Sequence, residues 1–243
     1  FGLHLEGPWI NPEKRGAHVE QFIRKPELKK AEELLSYGTG VIKMITLAPE
    51  VCSRKIIELI GSHGIIISAG HSNATYKQAI QGFHNGITSV THLYNAMSSL
   101  HHREPGLVGA AFNHERVMCS IIPDGYHTNF AAVAIAKKII GDRLFVITDA
   151  VAESFEGLYK HHLQKDYYVY NGILSGSALT MHKAFINLIR KVEIDVDEAL
   201  RMCSLYPAKA LNCADRYGKI APGYAVQFAV LNDEFQLTDV ICE

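Results

Sequence analysis

Six apolar runs separated by helix-like segments constrain the fold of this chain more than any other feature of its sequence. Each run is rich in Val, Ile, Leu or Thr and lacks a sustained alternation of polar and apolar residues. The runs cover residues 1–6, 41–48, 65–69, 87–91, 117–122 and 144–148. Continuous apolar runs are typical of strands that are covered on both faces. Their alternation with amphipathic segments therefore predicts an α/β fold with a parallel sheet.

Helix start and stop signals occur in the intervening segments. Thr75 precedes one amphipathic stretch as an N-cap residue would, and Gly141 ends another. Beyond residue 150 the pattern changes, and a helix is predicted over residues 180–191. Asp195 and Glu198 have the spacing of a capping box, which predicts a further helix that starts between them.

Two architectures share this alternation of strands and helices: an open doubly wound sheet and a closed barrel. A dinucleotide-binding sheet would carry GxGxxG after its first strand and a P-loop would carry GxxxxGK, and the sequence contains neither motif. In barrels, functional side chains collect at the C-terminal ends of several strands, where this chain has polar residues. The sequence therefore predicts a (β/α)8 barrel over residues 1–215, with its first strands missing from this chain, and part of a small β module over residues 216–243.

Charge and cysteine usage exclude several kinds of partner. The chain has 24 Lys and Arg residues against 25 acidic residues, so its net charge of -1 supplies no long-range field for nucleic acid or anionic lipid. No apolar run approaches the roughly 18 residues of a membrane span. The five cysteines are scattered and form no CxxC pair, which favours free thiols in a reducing cytoplasm. We therefore predict a cytoplasmic protein without nucleic-acid or membrane partners.

Polar residues that end different strand-like runs predict a metal site. Glu6, His71 and His92 provide one carboxylate and two imidazoles, a ligand set found in zinc hydrolases. Three protein ligands leave a position where the metal can lower the pKa of water to about 7. A single histidine at a strand end is more often a hydrogen-bonded structural residue, but three candidate ligands at matching positions favour a metal. His4, close to Glu6 on the same run, either supports the ligands or is simply packed.

Asp149 ends the sixth run in "LFVITDA" and is the candidate acid and base. Its carboxylate is suited to take a proton from the attacking water and pass it to a departing nitrogen. The alternative is a helix cap for the following segment. Most other histidines, including His161, fall in polar loops and are predicted to be solvated.

Eight motifs, in order along the chain, carry a resemblance to a known family. They are "GLHLEGPW", "GAHV", "SAGHSNATY", "THLYNAM", "REPGLVGAAF", "DGYHTN", "VITDA" and "LSGSALTM". Together they resemble the N-acetylglucosamine-6-phosphate deacetylase family of the amidohydrolase superfamily. The resemblance implies a metal-dependent (β/α)8 barrel with a small β-sandwich built from both chain ends. It also implies hydrolysis of N-acetylglucosamine 6-phosphate to glucosamine 6-phosphate and acetate.

The resemblance also implies roles for individual residues. Glu6, His71 and His92 correspond to metal ligands, with zinc as the expected ion, and Asp149 corresponds to the catalytic acid and base. His127 corresponds to a histidine that touches the substrate and helps polarise the amide carbonyl. The implied sugar and phosphate contacts are Ala17, His18, Asn95, Ala96, His127 and the backbone around Leu174, Ser175 and Gly176. Arg103 corresponds to a phosphate-binding arginine supplied by the neighbouring subunit, which implies a homodimer.

Some alternatives stay open from the sequence alone. The superfamily usually carries an HxH pair or a substitute on the first barrel strand, which this chain lacks, so one or two metal ions per subunit are both compatible with the sequence. Another amidohydrolase activity, on a cyclic amide or a nucleobase, would share the metal chemistry but gives no reason for "THLYNAM" and "REPG" around a phosphate. A metal-containing sensor without turnover would have no need of Asp149.

Overall fold

A computed structural model describes residues 2–242 of the chain. Its main sheet has six parallel strands, and strands that are consecutive in the sequence are neighbours in the sheet. The strands are β1 (Leu3–Glu6), β2 (Ile42–Leu47), β3 (Ile66–Ala69), β4 (Ser89–Val90), β5 (Met118–Ile121) and β6 (Leu144–Val146). Each strand lies within one of the six apolar runs, so the prediction of a parallel sheet is confirmed.

Eight α-helices occur within residues 2–242. They are α1 (Leu28–Tyr37), α2 (Arg54–Ser62), α3 (Tyr76–His84), α4 (Gly106–Asn113), α5 (Phe130–Ile140), α6 (Met181–Lys191), α7 (Val196–Cys203) and α8 (Leu205–Ala210). Thr75 caps α3 through a capping box with Gln78, as its position predicted. Gly141 follows α5 with a φ of 69°, a conformation that glycine adopts without steric cost. The helix predicted over residues 180–191 is α6.

The predicted capping box between Asp195 and Glu198 is wrong. Asp195 stands at the N-cap of α7, but its side chain makes no capping hydrogen bond. The Glu198 carboxylate instead pairs with Lys137 and Arg201 and accepts a hydrogen bond from Tyr206. Lys137 from α5, Tyr206 from α8 and Arg201 from α7 itself therefore outcompete one backbone N–H at the helix start, which spacing alone does not reveal.

The core of the protein lies on both faces of the parallel sheet. The strand residues Ile45, Ile67, Val90, Ile121 and Val146 are each at most 2% exposed. Burying an aliphatic side chain of this size stabilises the folded state by about 1.5–3 kcal/mol. This packing makes the sheet rigid, so it fixes the positions from which the loops at the C-terminal ends of its strands begin.

Two smaller antiparallel sheets follow the main sheet in the sequence. The first contains β7 (His162–Gln164), β8 (Tyr167–Tyr170) and β9 (Ile173–Ser177), and a bridge between Ala150 and Ser177 joins it to the segment after β6. The second is the hairpin of β10 (Gln227–Leu231) and β11 (Leu237–Cys242). The domain boundary near residue 215 stays a prediction. Within residues 2–242, every helix is too short or too polar to cross a membrane.

Candidate metal centre and active site

Four candidate residues lie where strands of the main sheet end. Glu6 is the last residue of β1, while His71, His92 and Asp149 follow β3, β4 and β6 shortly after those strands end. The last three have positive φ angles of 46°, 36° and 48°, a region that few residues other than glycine occupy. Unfavourable backbone conformations of this kind cluster at functional sites, where the surrounding structure holds them in place. The C-terminal edge of the sheet is therefore the candidate active-site region.

Glu6, His71 and His92 meet in one cluster. Glu6 Oε1 lies 3.1 Å from His71 Nε2 and 3.0 Å from His92 Nε2. The two Nε2 atoms are themselves 3.0 Å apart. Ligands of one tetrahedral zinc ion lie about 3.3 Å apart when the bonds are about 2.0–2.1 Å long. The cluster therefore has nearly the spacing that a small divalent ion requires.

The hydrogen bond made by the other ring nitrogen of His71 fixes its tautomer. His71 Nδ1 lies 2.8 Å from the backbone carbonyl oxygen of Lys14, which can only accept a hydrogen bond. In the neutral ring, Nδ1 therefore carries the proton and Nε2 presents a lone pair toward Glu6 Oε1, which also presents lone pairs. Two acceptors at this distance repel each other unless a proton or a cation lies between them. The residues present thus fit a metal ion.

The pKa shifts of Glu6 and His71 suit a metal, whereas Glu6 outweighs burial at His92 and raises the pKa of that ring. Burial would raise the pKa of the Glu6 carboxyl, but the neighbouring rings of His18, His71 and His92 outweigh it and hold that pKa well below its usual range. Burial is the largest cause of a lowered pKa at His71, although Glu6 opposes it. A charged carboxylate and a neutral imidazole are the forms that bind metal ions.

His18 lies on the other side of the same carboxylate. Its Nε2 is 3.3 Å from Glu6 Oε2, and Glu6, His18 and His71 also form a group able to hold a metal. His18 is a predicted sugar contact, so His92 and His18 are competing third ligands. His92 Nε2 is close to both Glu6 Oε1 and His71 Nε2, whereas His18 contacts the second carboxylate oxygen. This geometry favours His92 as the third candidate ligand, and His18 stays a predicted sugar contact.

A cleft of about 500 Å³ opens on this cluster. It brings together every predicted site residue except Arg103. The predicted residues in its walls are Glu6, Ala17, His18, His71, His92, Asn95, Ala96, His127, Asp149, Leu174, Ser175 and Gly176. Asp149 is solvent-exposed in the wall of this cleft. The segment after β1, the loop after β4 and strand β9 thus surround one space large enough for a sugar phosphate.

Asp124 holds His127 in the cleft. The Asp124 carboxylate accepts hydrogen bonds from His127 Nδ1 at 2.6 Å and from the His127 backbone N–H at 2.7 Å. Burial would raise the pKa of the Asp124 carboxyl, but its hydrogen bonds with His127 outweigh burial and lower it. Because Asp124 occupies Nδ1, the Nε2 atom of His127 is left for a ligand.

Three residues at the site, Asp124, His161 and Tyr159, were not predicted from the sequence. Asp124 precedes His127 by three residues, a spacing at which a side chain often accepts hydrogen bonds from the following backbone N–H groups.

The prediction that His161 is solvated is wrong: it lines the cleft, and its Nδ1 lies 2.9 Å from Ser175 Oγ. Tyr159 stacks beside His161, and its hydroxyl accepts a hydrogen bond from the backbone N–H of Val19. No local sequence signal predicts these long-range contacts.

His4 and Arg103 are outside the cluster. His4 Nε2 lies 2.7 Å from Thr46 Oγ1, which in turn lies 2.7 Å from Thr91 Oγ1, so His4 packs on a layer of buried hydroxyls inside the sheet. Arg103 is exposed in the loop between β4 and α4 and makes no ion pair with any residue from 2 to 242. Its predicted contact with a neighbouring subunit stays a prediction.

Fold and site together define a parallel α/β barrel protein with a candidate metal centre at its strand ends. The amidohydrolase family model matches residues 1–243, and the chain belongs to the amidohydrolase family. It is similar to the N-acetylglucosamine-6-phosphate deacetylase of Haemophilus influenzae, with 39% identity over 99% of this chain and 66% of that protein. The predicted fold class and family are thereby confirmed.

Solved structures agree with this assignment. The N-acetylglucosamine-6-phosphate deacetylase from Pasteurella multocida superposes with a TM-score of 0.93 at 35% identity, over 99% of this chain and 65% of that one. A mutant deacetylase from Mycobacterium smegmatis, in complex with N-acetyl-D-glucosamine-6-phosphate, superposes with a TM-score of 0.93 at 29% identity, over 99% of this chain and 67% of that one. The chain spans 61–66% of the length of the curated relatives that it matches.

Proposed function

We propose that the protein hydrolyses N-acetylglucosamine 6-phosphate to glucosamine 6-phosphate and acetate in amino-sugar catabolism. The observation that carries this proposal is one cleft that joins a carboxylate–imidazole cluster to the residues expected to bind the sugar. Similarity to deacetylases that are named for this substrate supports the same reaction. We further propose a cytoplasmic location, which is consistent with five free cysteines.

The metal is proposed to be zinc, one or two ions per subunit, with Glu6, His71 and His92 as ligands. A divalent ion at this position would lower the pKa of water and polarise the amide carbonyl. His71 is ready for this role because the Lys14 carbonyl fixes its tautomer. Glu6 contributes the negative charge that two neutral imidazoles lack.

Asp149 is proposed to carry the proton that the reaction moves. The carboxylate accepts a proton as the water oxygen attacks the acetyl carbon, and it returns the proton to the nitrogen as the carbon–nitrogen bond breaks. The second proton of the water stays on the acetic acid product, which passes it to the amine, so the products are acetate and an ammonium group and Asp149 ends the cycle unchanged. Its place in the wall of the cleft, beside the cluster, suits a group that moves a proton from the water to the nitrogen.

His127 is proposed to donate a hydrogen bond to the amide carbonyl oxygen, where negative charge grows during attack. The Asp124 carboxylate supports this role because its hydrogen bond with Nδ1 orients the ring and leaves Nε2 for the carbonyl oxygen. The sugar and phosphate contacts are assigned to the remaining predicted residues of the cleft wall. These are Ala17, His18, Asn95, Ala96, Leu174, Ser175 and Gly176.

Asp124→Asn is expected to lower kcat/KM by about 10- to 100-fold, because a hydrogen bond to a charged group contributes about 1.5–3 kcal/mol. The asparagine can still accept the backbone N–H groups of the loop, but the charged partner of His127 Nδ1 is lost. Steady-state kinetics on the full-length protein would measure the effect. A matched control is Asp142→Asn, at the far end of α5, which should leave kcat/KM unchanged. Equal kinetics for wild type and Asp124→Asn would contradict the role.

Arg103 is proposed to bind the phosphate in the neighbouring active site of a homodimer. Arg103→Ala is expected to raise KM for the phosphorylated sugar about 10- to 100-fold, because a charge-assisted contact is lost. The non-phosphorylated sugar should be affected little. Arg116→Ala, an exposed arginine at the opposite end of the strands, is the control. Equal loss with both sugars would contradict a phosphate contact.

Mixed dimers would test whether Arg103 binds the phosphate in its own active site or in that of the neighbouring subunit. A dimer of one Arg103→Ala chain and one Asp149→Asn chain contains one site with an intact Asp149 and an arginine from its partner. If Arg103 acts across the interface, mixing the two impaired variants restores activity at low substrate concentration. If Arg103 serves its own subunit, both sites of the mixed dimer remain impaired, and the homodimer proposal fails.

The direct test of the function is acetate release by the full-length protein. We expect release from N-acetylglucosamine 6-phosphate, weaker release from N-acetylglucosamine, loss after chelation, and recovery when zinc is added. Cyclic amides and nucleobases serve as competing substrates. Hydrolysis of one of these without acetate release from the sugar phosphate would overturn the proposal and favour the other amidohydrolase activity.

A further inference from the structure

Glu50, which follows strand β2, is the centre of a hydrogen-bond cluster between two active-site loops. Its Oε1 accepts hydrogen bonds from Asn11 Nδ2 at 2.9 Å and from the Asn73 backbone N–H at 2.6 Å. Its Oε2 accepts one from Ser72 Oγ at 2.7 Å. Glu50 forms no ion pair with any residue in the described part of the chain. Its carboxylate therefore organises neutral donors instead of pairing with a cation.

The donors belong to the two segments that carry the candidate ligands and the sugar contacts. Asn11 lies in the segment after β1, which continues to Lys14 and His18. Ser72 and Asn73 directly follow His71. The Asn11 N–H also donates to the His71 carbonyl oxygen at 2.8 Å, and Lys14 accepts from the His71 ring. Glu50 thus fastens the loop that contains His71 to the segment that fixes its tautomer.

His71 needs this support because its backbone is unfavourable. Its φ of 46° lies in the left-handed region, which costs a non-glycine residue about 1–3 kcal/mol and persists only where neighbours enforce it. Ser72 is held at its side chain by Glu50 and at its backbone N–H by the Ala96 carbonyl oxygen, 3.1 Å away. Glu50 accepts three hydrogen bonds from these two segments, so it contributes much of the side-chain restraint.

We propose that Glu50 is a positioning residue that sets the location of His71 and of the segment from Asn11 to His18. It acts through other residues and has no contact with the metal ligands Glu6 and His92. The proposal rests on the proposed metal site, but it makes a statement about metal affinity that does not depend on the identity of the substrate. Removing Glu50 should release the loop after β3 and weaken metal binding before any chemistry takes place.

The experiment is a zinc competition titration with a coloured chelator on the full-length protein. Glu50→Ala is expected to weaken zinc binding about 10- to 100-fold, the usual effect of removing a group that orients a ligand. Glu50→Gln should stay within about threefold of wild type, because its amide oxygen can accept from Asn11 and Asn73 while its amide nitrogen donates to Ser72. Recovery in the glutamine variant would show that the hydrogen bonds matter and the charge does not.

Glu198→Ala is the control for a purely structural effect. Glu198 is also a carboxylate that joins several donors, but its partners Lys137, Arg201 and Tyr206 are far from the cleft in the α5–α8 region. This variant is expected to lower the melting temperature and leave the zinc affinity within about twofold of wild type. Zinc affinity unchanged in Glu50→Ala, or reduced equally in Glu198→Ala, would overturn the positioning role.

A shorter side chain keeps the test decisive if Glu50→Ala does not fold. Glu50→Asp retains the charge but lacks one methylene, so it cannot reach all three donors, and we expect zinc binding at least about fivefold weaker than in wild type. Wild-type zinc affinity in Glu50→Asp would count against the proposal. Zinc affinity that depends on Glu50 without acetate release from the sugar phosphate would refute the proposed function alone.

Discussion

Replacing Asp149 by asparagine is expected to lower kcat by at least about 10³-fold while zinc content and substrate affinity stay within about threefold of wild type. Asparagine has nearly the same shape as aspartate, but it cannot accept and return a proton at pH 7. A positioned acid and base contributes about 10²–10⁴-fold to a reaction of this kind. The loss of kcat is expected toward the upper end of this range because one carboxylate performs both proton transfers.

Three measurements on the full-length Asp149→Asn protein separate this role from a structural one. Steady-state kinetics give kcat, isothermal titration gives the affinity for the sugar phosphate, and metal analysis gives the zinc content. Asp166→Asn, in the exposed turn between β7 and β8, is a matched substitution outside the cleft and should behave as wild type. Turnover close to wild type in Asp149→Asn would remove Asp149 from the mechanism.

Glu6→Gln is expected to weaken zinc binding by more than about 100-fold and to abolish acetate release at ordinary zinc concentrations. Glu6 Oε1 is the atom that lies close to both His71 Nε2 and His92 Nε2, so it is the common member of the cluster. Glutamine keeps the size of the side chain but removes its charge. Two neutral imidazoles remain, and the loss should exceed the 10- to 100-fold cost of removing a supporting residue.

Glu13→Gln is the matched control for the Glu6 variant. Glu13 also lines the cleft, and its carboxylate accepts a hydrogen bond from Asn73 Nδ2 at 3.0 Å, but it is not part of the cluster. Equilibrium dialysis against zinc should therefore find wild-type metal content in Glu13→Gln and little in Glu6→Gln. Full zinc occupancy in Glu6→Gln would show that the ion is held elsewhere.

The parallel sheet and the candidate ligands could be predicted from the sequence because both depend on short-range patterns. A run such as "VIKMITL" is apolar except for Lys43 and Thr46, and in the structure β2 is buried at five of its six positions. A polar residue at the end of such a run must lie at the C-terminal edge of the sheet. Because the strands are parallel, Glu6, His71 and His92 reach the same edge. Their contact across the intervening β2 does not follow from strand order and is seen only in the structure.

Contacts between distant segments could not be predicted in the same way. The hydroxyl of Tyr159 meets the backbone of Val19 across 140 residues, and Glu50 joins segments that follow two different strands. These partners depend on loop conformations that no periodicity specifies. The capping box expected at Asp195 failed for the same reason, because Lys137, far away in the sequence, competes for Glu198.

The position of the metal ion tests the central claim most directly. Crystals of the full-length protein grown with zinc should give an anomalous difference peak about 2.0–2.2 Å from Glu6 Oε1, His71 Nε2 and His92 Nε2. His18 should then remain outside the coordination sphere and face the sugar. A peak coordinated by His18 in place of His92, or no peak between Glu6 and His71, would contradict the account.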